Sequence, residues 1–204
     1  MPREMTMRRI QILPGLFLAM IVVLGAAPSA RAQDTPKVDL FGGYTYMRAN
    51  VVASGQGFNL NGGSGSAAYN LNSWLGLVGD FGATHQGGVT GNGLSLTIIT
   101  YQFGPRLSWR KHEHLVPFAQ VLLGGGHAGG SLYTSSLGAG LAPLGTSNAF
   151  DLTTGGGLDW KPNSRIGIRL FQAEYLYTQF QNLKNDNQNN FRFSTGIVFS
   201  FGKR

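Results

Sequence analysis

The sequence predicts an all-β protein: a closed eight-stranded antiparallel up-and-down transmembrane β-barrel. Three observations carry that expectation. Eight segments alternate apolar with small or polar residues at period two. The connections between them alternate strictly between long and short, as in a barrel with tight turns on one side of a membrane and longer loops on the other. All three tryptophans, Trp74, Trp109 and Trp160, border short turns.

Composition narrows the class first. A length of 204 residues fits one domain, and the lack of cysteine excludes a disulfide framework and any Cys-ligated zinc or iron–sulfur site. Charged residues make up 12%, beside 31 glycines and 11% aromatics, whereas soluble domains carry about 25% charged residues. The only long apolar run, Ile10 to Ala27, contains Pro14 and lies at the N-terminus, so no later stretch forms a membrane-spanning helix. Arg3, Arg8 and Arg9 precede an apolar core over 10–25, and Ala30-Arg31-Ala32 supplies the small-x-small pattern of a signal peptidase site. Residues 1–32 are therefore expected to be a signal peptide cleaved before Gln33, leaving 33–204 as the barrel domain. Losing Arg3, Arg8, Arg9, Arg31 and Glu4 lowers the net charge from +7 to +4, which removes the main support for nucleic-acid binding. The remaining basic excess is scattered beside tight turns or at the chain end, at Arg110, Lys111, Lys161, Arg165, Lys203 and Arg204.

The first strand is expected over about 37–48, with Val38, Leu40, Tyr44 and Tyr46 on one face and Lys37, Asp39, Gly43 and Thr45 on the other. Further segments follow at about 64–71, 74–85, 95–109, 115–126, 149–160 and 165–178. The last is the clearest, with Phe191, Phe193, Thr195, Ile197, Phe199 and Phe201 alternating with Arg192, Ser194, Gly196, Val198, Ser200 and Gly202. Long connections fall at 49–63, 86–94, 127–148 and 179–190, and short ones at Asn72-Ser73, Arg110 to His114 and Lys161 to Ser164. The even strand number puts both termini on the short-turn side.

Eight such strands also suit a soluble lipocalin-type barrel with its apolar face inside. Against it, the other face is built of Gly, Ser, Thr and isolated charges rather than the Lys/Glu-rich surface shown to water. The tryptophans at the short turns, with Tyr46, Tyr177 and Phe191 towards the long loops, form two levels suited to the aromatic girdles of a bilayer. In lipid every backbone polar group must be paired, so a spanning sheet must close.

At the C-terminus, residues 194–201 (STGIVFSF) resemble the assembly signal of bacterial outer-membrane proteins, with Ser194, Gly196, Phe199 and Phe201 at its four defined positions. The chain departs from the pattern by running on through Gly202-Lys203-Arg204. Val38 to Tyr46 (VDLFGGYTY) and Glu174-Tyr175 resemble the first strand and an acidic-aromatic pair of the seventh strand in the small OmpA/OmpX-type outer-membrane β-barrel family. That resemblance covers the whole mature chain. It implies a bacterial outer-membrane location, insertion by the outer-membrane assembly machinery, passage with periplasmic chaperones, and contact with outer-membrane lipid and lipopolysaccharide. A monomer is expected, with no cofactor, no metal and no nucleic-acid partner. Because the chain ends at Arg204, no peptidoglycan-binding domain is expected to follow.

Period two directs Asp39, Asp80, Gln102, Arg106, Asp151, Asp159, Glu174 and Arg192 inward. A charge facing lipid at the midplane would cost about 2–4 kcal/mol. Arg106 and Arg192 are expected to pair with Asp80, Asp151 or Glu174, because unpaired charges in a narrow lumen are costly. Arg169 has the wrong parity relative to Glu174, which a β-bulge between them or a position at the rim would reconcile. Glycines 124–126 and 155–157 are expected to serve close approach by large neighbours or a bend in the wall. The four histidines form no recognised metal spacing, and no G-x-S-x-G elbow exists. The leading expectation is therefore a structural or interaction barrel acting in envelope integrity or surface contact. Its long loops are the candidate contact surface, among them 127–148 with Leu132, Tyr133, Leu137, Leu141 and Leu144 and the hydrophilic 181–190. The alternative is a narrow porin-like channel for ions or small solutes. The third is a lipid-modifying hydrolase using His85, His127 and Ser131 near the outer rim.

Overall fold

The computed structural model describes residues 35–50, 57–88, 95–112, 114–130, 148–179 and 187–203. The expected leader over 1–32 lies outside them. Eight strands follow in order: β1 (Val38–Ala49), β2 (Phe58–Asn70), β3 (Leu75–Gln86), β4 (Leu96–Ser108), β5 (Leu115–Gly129), β6 (Asn148–Trp160), β7 (Ile166–Thr178) and β8 (Gln188–Phe201). Each pairs antiparallel with its sequence neighbours, and β1 pairs with β8 to close the barrel. No strand edge is left open, the condition lipid imposes on a sheet.

Alternation decides which face meets which medium. Phe81 and Phe103 are 55% and 70% exposed, whereas Asp151 and Arg169 are wholly buried. The apolar face is outside and the polar face inside, the inverse of a soluble barrel. Strands of 12 to 15 residues exceed the roughly 9–11 that cross the hydrocarbon. The surplus lies towards the long loops, where outward residues turn polar at Arg48, Asn59, His85, Asn148 and Asn189.

Three strands begin earlier or end later than their sequence pattern suggested by three residues or more. β2 starts at Phe58 rather than about 64, β5 runs to Gly129 rather than 126, and β8 starts at Gln188 rather than 191. Residues 58–63 (FNLNGG) look like loop by propensity. Phe58 and Leu60 nevertheless turn inward and pair across to Ala49 and Met47, so packing overrides the weak strand preference of Asn and Gly.

The seam between β1 and β8 is built for close approach. Gly43 and Gly196 face each other, and a Cβ on Gly43 would stand 2.1 Å from the Thr195 carbonyl oxygen while one on Gly196 would stand 2.5 Å from Gly43 Cα. Beside them, Thr45 and Ser194 share a hydrogen bond of 2.8 Å across the seam. In β7 the expected irregularity is a β-bulge: the register shifts between Arg169 and Gln172, and Leu170 and Phe171 both face outward. The extra residue turns Arg169 into the lumen.

Candidate functional site

The barrel interior is layered. At the short-turn end Asp39 collects two cations and two polar groups. Lys161 Nζ lies 2.7 Å from Asp39 Oδ1, and Arg110 Nη2 lies 3.0 Å from Oδ2. Asn70 Nδ2 donates to Oδ2 at 2.8 Å, and Ser200 Oγ donates to Oδ1. Burial pushes the Lys161 ammonium below the usual lysine range, with the Asp39 carboxylate opposing that shift. Lys161 and Arg110, expected to be scattered turn charges, instead close this end of the lumen. Both fall on inward parity when the period is carried past the strand end, from Asp159 to Lys161 and from Ser108 to Arg110.

Above this floor, Arg169 binds Asp159 through Nε at 2.7 Å and Nη2 at 3.1 Å, a two-point guanidinium–carboxylate pair. Its guanidinium carbon sits 4.2 Å from the centre of the Phe41 ring and 4.5 Å from that of Phe118, so ring faces cover what the carboxylate does not. Arg106 corrects an expectation. Among the described residues it makes no ion pair with Asp80, Asp151 or Glu174. Its Nε donates to Gln120 Oε1 at 2.8 Å, and its guanidinium carbon stands 4.5 Å from the Phe118 ring centre. Gln120 is directly opposite Arg106 in the β4–β5 register and reaches it first, while Arg192 takes Asp80 and Glu174.

The middle layer centres on Arg192. Its Nε donates to Glu174 Oε2 at 2.7 Å, and Nη1 lies 2.9 Å from Asp80 Oδ1 and 3.3 Å from Thr100 Oγ1. Gln120 Nε2 donates to Glu174 Oε1 at 2.7 Å, linking this group to Arg106. Gln102 Nε2 donates to Thr153 Oγ1, which donates at 3.3 Å to Asp151 Oδ1. Five acidic side chains (Asp39, Asp80, Asp151, Asp159, Glu174) thus meet five basic ones (Arg106, Arg110, Lys161, Arg169, Arg192) among the described lumen residues. Asp80 Oδ2, Asp151 Oδ2, Gln102 Oε1, Arg106 Nη2 and Arg192 Nη2 have no hydrogen-bond partner among the described residues, and such atoms are where interior water binds.

Towards the long loops the lumen becomes apolar. Met47, Ala49, Phe58, Leu60, Leu96, Ile98, Ala128 and Leu176 form one buried cluster. Period two marks Met47, Leu96, Ile98 and Leu176 as inward, but Ala49, Phe58, Leu60 and Ala128 fall in segments expected to be loop, so the greasy layer was not visible as a layer.

The outward face carries the aromatic residues expected to form two levels. Trp74, Trp109 and Trp160 sit at or beside the three short connections; the Trp74 carbonyl accepts from Ser108 N at 2.7 Å, and Trp109 N donates to the Pro117 carbonyl at 2.9 Å. At the other end, Tyr46 donates to Asn59 Oδ1 at 2.8 Å and Tyr177 donates to Asn187 Oδ1. Of the residues expected to form an assembly signal, Ser194 and Gly196 line the β1–β8 seam, while Phe199 and Phe201 face outward. His85 and His127 also face outward, on β3 and β5 with β4 between them. They bond Thr97 Oγ1 at 2.9 Å and Asn148 Oδ1 at 2.8 Å; Ser131 lies outside the described residues. No group of three metal-ligating side chains occurs among the described residues.

A closed barrel with an apolar exterior and a polar interior is the construction of a bacterial outer-membrane protein. The chain belongs to the outer membrane protein beta-barrel domain family, which it matches over residues 16–201. Among solved structures it resembles Neisserial surface protein A, at 13% identity over 81% of this chain and 97% of that one, with a TM-score of 0.59. OprG of Pseudomonas aeruginosa aligns at 9% identity over 85% and 99%, with a TM-score of 0.55. Ail, the attachment invasion locus protein of Yersinia pestis, aligns at 19% identity over 81% and 99%, with a TM-score of 0.51, and has also been solved with the heparin analogue sucrose octasulfate. No curated protein matches the sequence. These likenesses establish the fold, and the family places the chain in the bacterial outer membrane.

Proposed function

We propose that this chain is a structural and interaction barrel of the outer membrane: a filled, rigid scaffold that holds its long loops at the cell surface for envelope integrity and surface contact. The observation that carries the reading is the filling of the lumen. Salt bridges occupy its short-turn end and middle, and the Leu60, Leu96 and Leu176 layer, wholly buried, lies across its loop end. Water is excluded from an apolar constriction of that kind, and eight strands leave room for little more than side chains. Loops on a rigid frame are the usual place for recognition; Ail, similar in fold, is named for attachment, an analogy of fold alone. A leader over 1–32, periplasmic chaperones, the assembly machinery and a monomeric product complete the reading. Vesicles loaded with refolded protein and challenged with small sugars or amino acids should swell no faster than protein-free vesicles. Swelling that scales with folded protein would overturn the reading.

A second reading, a narrow channel gated by the apolar layer, draws on the unpartnered lumen atoms of Asp80, Asp151, Gln102, Arg106 and Arg192, which mark a hydrated middle. It requires the apolar layer to open. A lipid-modifying hydrolase has least support, since β4 separates His85 from His127.

A further inference from the structure

Beneath the apolar layer the lumen leaves one carboxylate without a cation. Among the described residues Asp39, Asp80, Asp159 and Glu174 each make an ion pair, whereas Asp151, wholly buried, makes none. Charge in this part of the barrel is uneven. Asp80 and Glu174 share Arg192, and even with Arg106, which reaches the group through Gln120, three carboxylates face two guanidiniums. The compensating surplus is remote: Asp39 at the floor holds both Lys161 and Arg110. The eight residues of β6 from Asp151 to Asp159, just short of that floor, span about 26 Å at about 3.3 Å per residue.

Hydrogen bonding leaves the same spot short of a positive group. Gln102 Nε2 donates to Thr153 Oγ1 at 2.6 Å. A threonine hydroxyl has one hydrogen to give, and here it goes to Asp151 Oδ1 at 3.3 Å. That fixes the Gln102 amide with Oε1 turned from Thr153, and both Oε1 and Asp151 Oδ2 are buried acceptors that meet no donor among the described residues. In the register Gln102 and Asp151 stand on either side of Gly124. A Cβ on Gly124 would stand 2.0 Å from the Tyr101 carbonyl oxygen, so the wall between the two acceptors carries no side chain. Asp80, directly opposite Gln102 on β3, adds a third unpartnered oxygen, Oδ2.

We propose that the middle of the lumen binds one small monovalent cation, of the size of sodium, between Asp151 Oδ2 and Gln102 Oε1. Hard cations take oxygen ligands, and carboxylate and amide oxygens without imidazole or thiolate suit such an ion rather than a transition metal. The single charge follows from three carboxylates facing two guanidiniums, and Asp80 Oδ2 is an acceptor for the ion's water. The site needs only the polar layer of the lumen, so it stands whether the apolar layer above it opens or stays shut.

The test is the folding equilibrium of the refolded barrel in phosphatidylcholine vesicles, followed by urea titration at rising sodium chloride, with choline chloride holding the ionic strength constant. One ion bound only by the folded barrel raises the folding constant about tenfold for each tenfold rise in sodium above its dissociation constant. Asp151→Asn keeps an acceptor for Thr153 and offers Gln102 Oε1 a donor, so it should keep the heat-modifiable migration of a folded barrel and lose the sodium dependence. Gln102→Met preserves the bulk of the side chain and removes Oε1, and it should move the sodium dependence to at least about tenfold higher concentration, the loss expected from about 1.4 kcal/mol of ligand binding. Equal folding constants in sodium and in choline would leave a proton as the charge that compensates Asp151 and overturn the proposal. A sodium dependence that persists unchanged in Asp151→Asn and Gln102→Met would place the ion elsewhere and overturn the site.

Discussion

At the scale of single residues, two buried arginines make opposite demands. Arg192 neutralises Glu174 and Asp80, so removing either partner strands a buried charge, a loss of about 3–5 kcal/mol. Arg106 has Gln120 and a ring face but no ion pair among the described residues. Arg106→Met retains packing against Phe118 and removes an unpaired Nη2, so it should cost less than about 1 kcal/mol or stabilise, as apolar replacement of buried charge often does. Urea unfolding in lipid vesicles should separate Arg192→Met and Glu174→Gln from Arg106→Met by at least about 2 kcal/mol; equal losses for all three would contradict this account of the network. Period two was enough to direct Asp39, Asp80, Asp151, Asp159, Glu174 and Arg192 inward. The cost of unpaired charge then pointed to Asp80 and Glu174 as partners of Arg192, as found, but it misplaced Arg106, because partners depend on which strands become neighbours in register and how far each side chain reaches.

At the scale of the strand, glycine and aromatic residues interlock. Tyr101 lies opposite Gly125, and a Cβ on Gly125 would stand 2.6 Å from the Tyr101 hydroxyl oxygen and 2.7 Å from its ring. The tyrosine covers the glycine, an arrangement that compensates for a missing side chain. Tyr101→Ala and Gly125→Ala should each destabilise by roughly 0.2–1 kcal/mol. Their double variant should cost less than the sum, because each already breaks the same contact; strict additivity in the double-mutant cycle would mean that the ring and the glycine do not act together. Alternation located most strands, but it failed at β2, where Asn59, Asn61, Gly62 and Gly63 look like loop. Their place in the sheet comes from pairing with β1 and β3, information a single strand does not carry. The β7 bulge is similar: the parity conflict of Arg169 with Glu174 was visible, but its resolution depends on the register with β6 and β8.

At the scale of the whole molecule, the barrel sets two interfaces and a filled interior. Bromine-labelled lipids with bromines at graded depths should quench single-tryptophan variants retaining Trp74, Trp109 or Trp160 at the same depth. Distinct depths would break the assignment of these residues to one girdle. The strand count, the closure and the outward apolar face were legible because they rest on period and loop length, quantities that survive errors of a few residues at strand ends. The layering of the lumen was not, because it combines side chains from strands far apart in sequence, such as Asp39 with Lys161 and Leu60 with Leu96. That layering is the basis for the filled scaffold, and the most direct test is single-channel conductance of the refolded mature barrel in a planar bilayer. A silent bilayer holding demonstrably folded protein is the expected result. Steady, reproducible openings whose size changes when Arg106 or Glu174 is neutralised would contradict the account and make the lumen a conduction path.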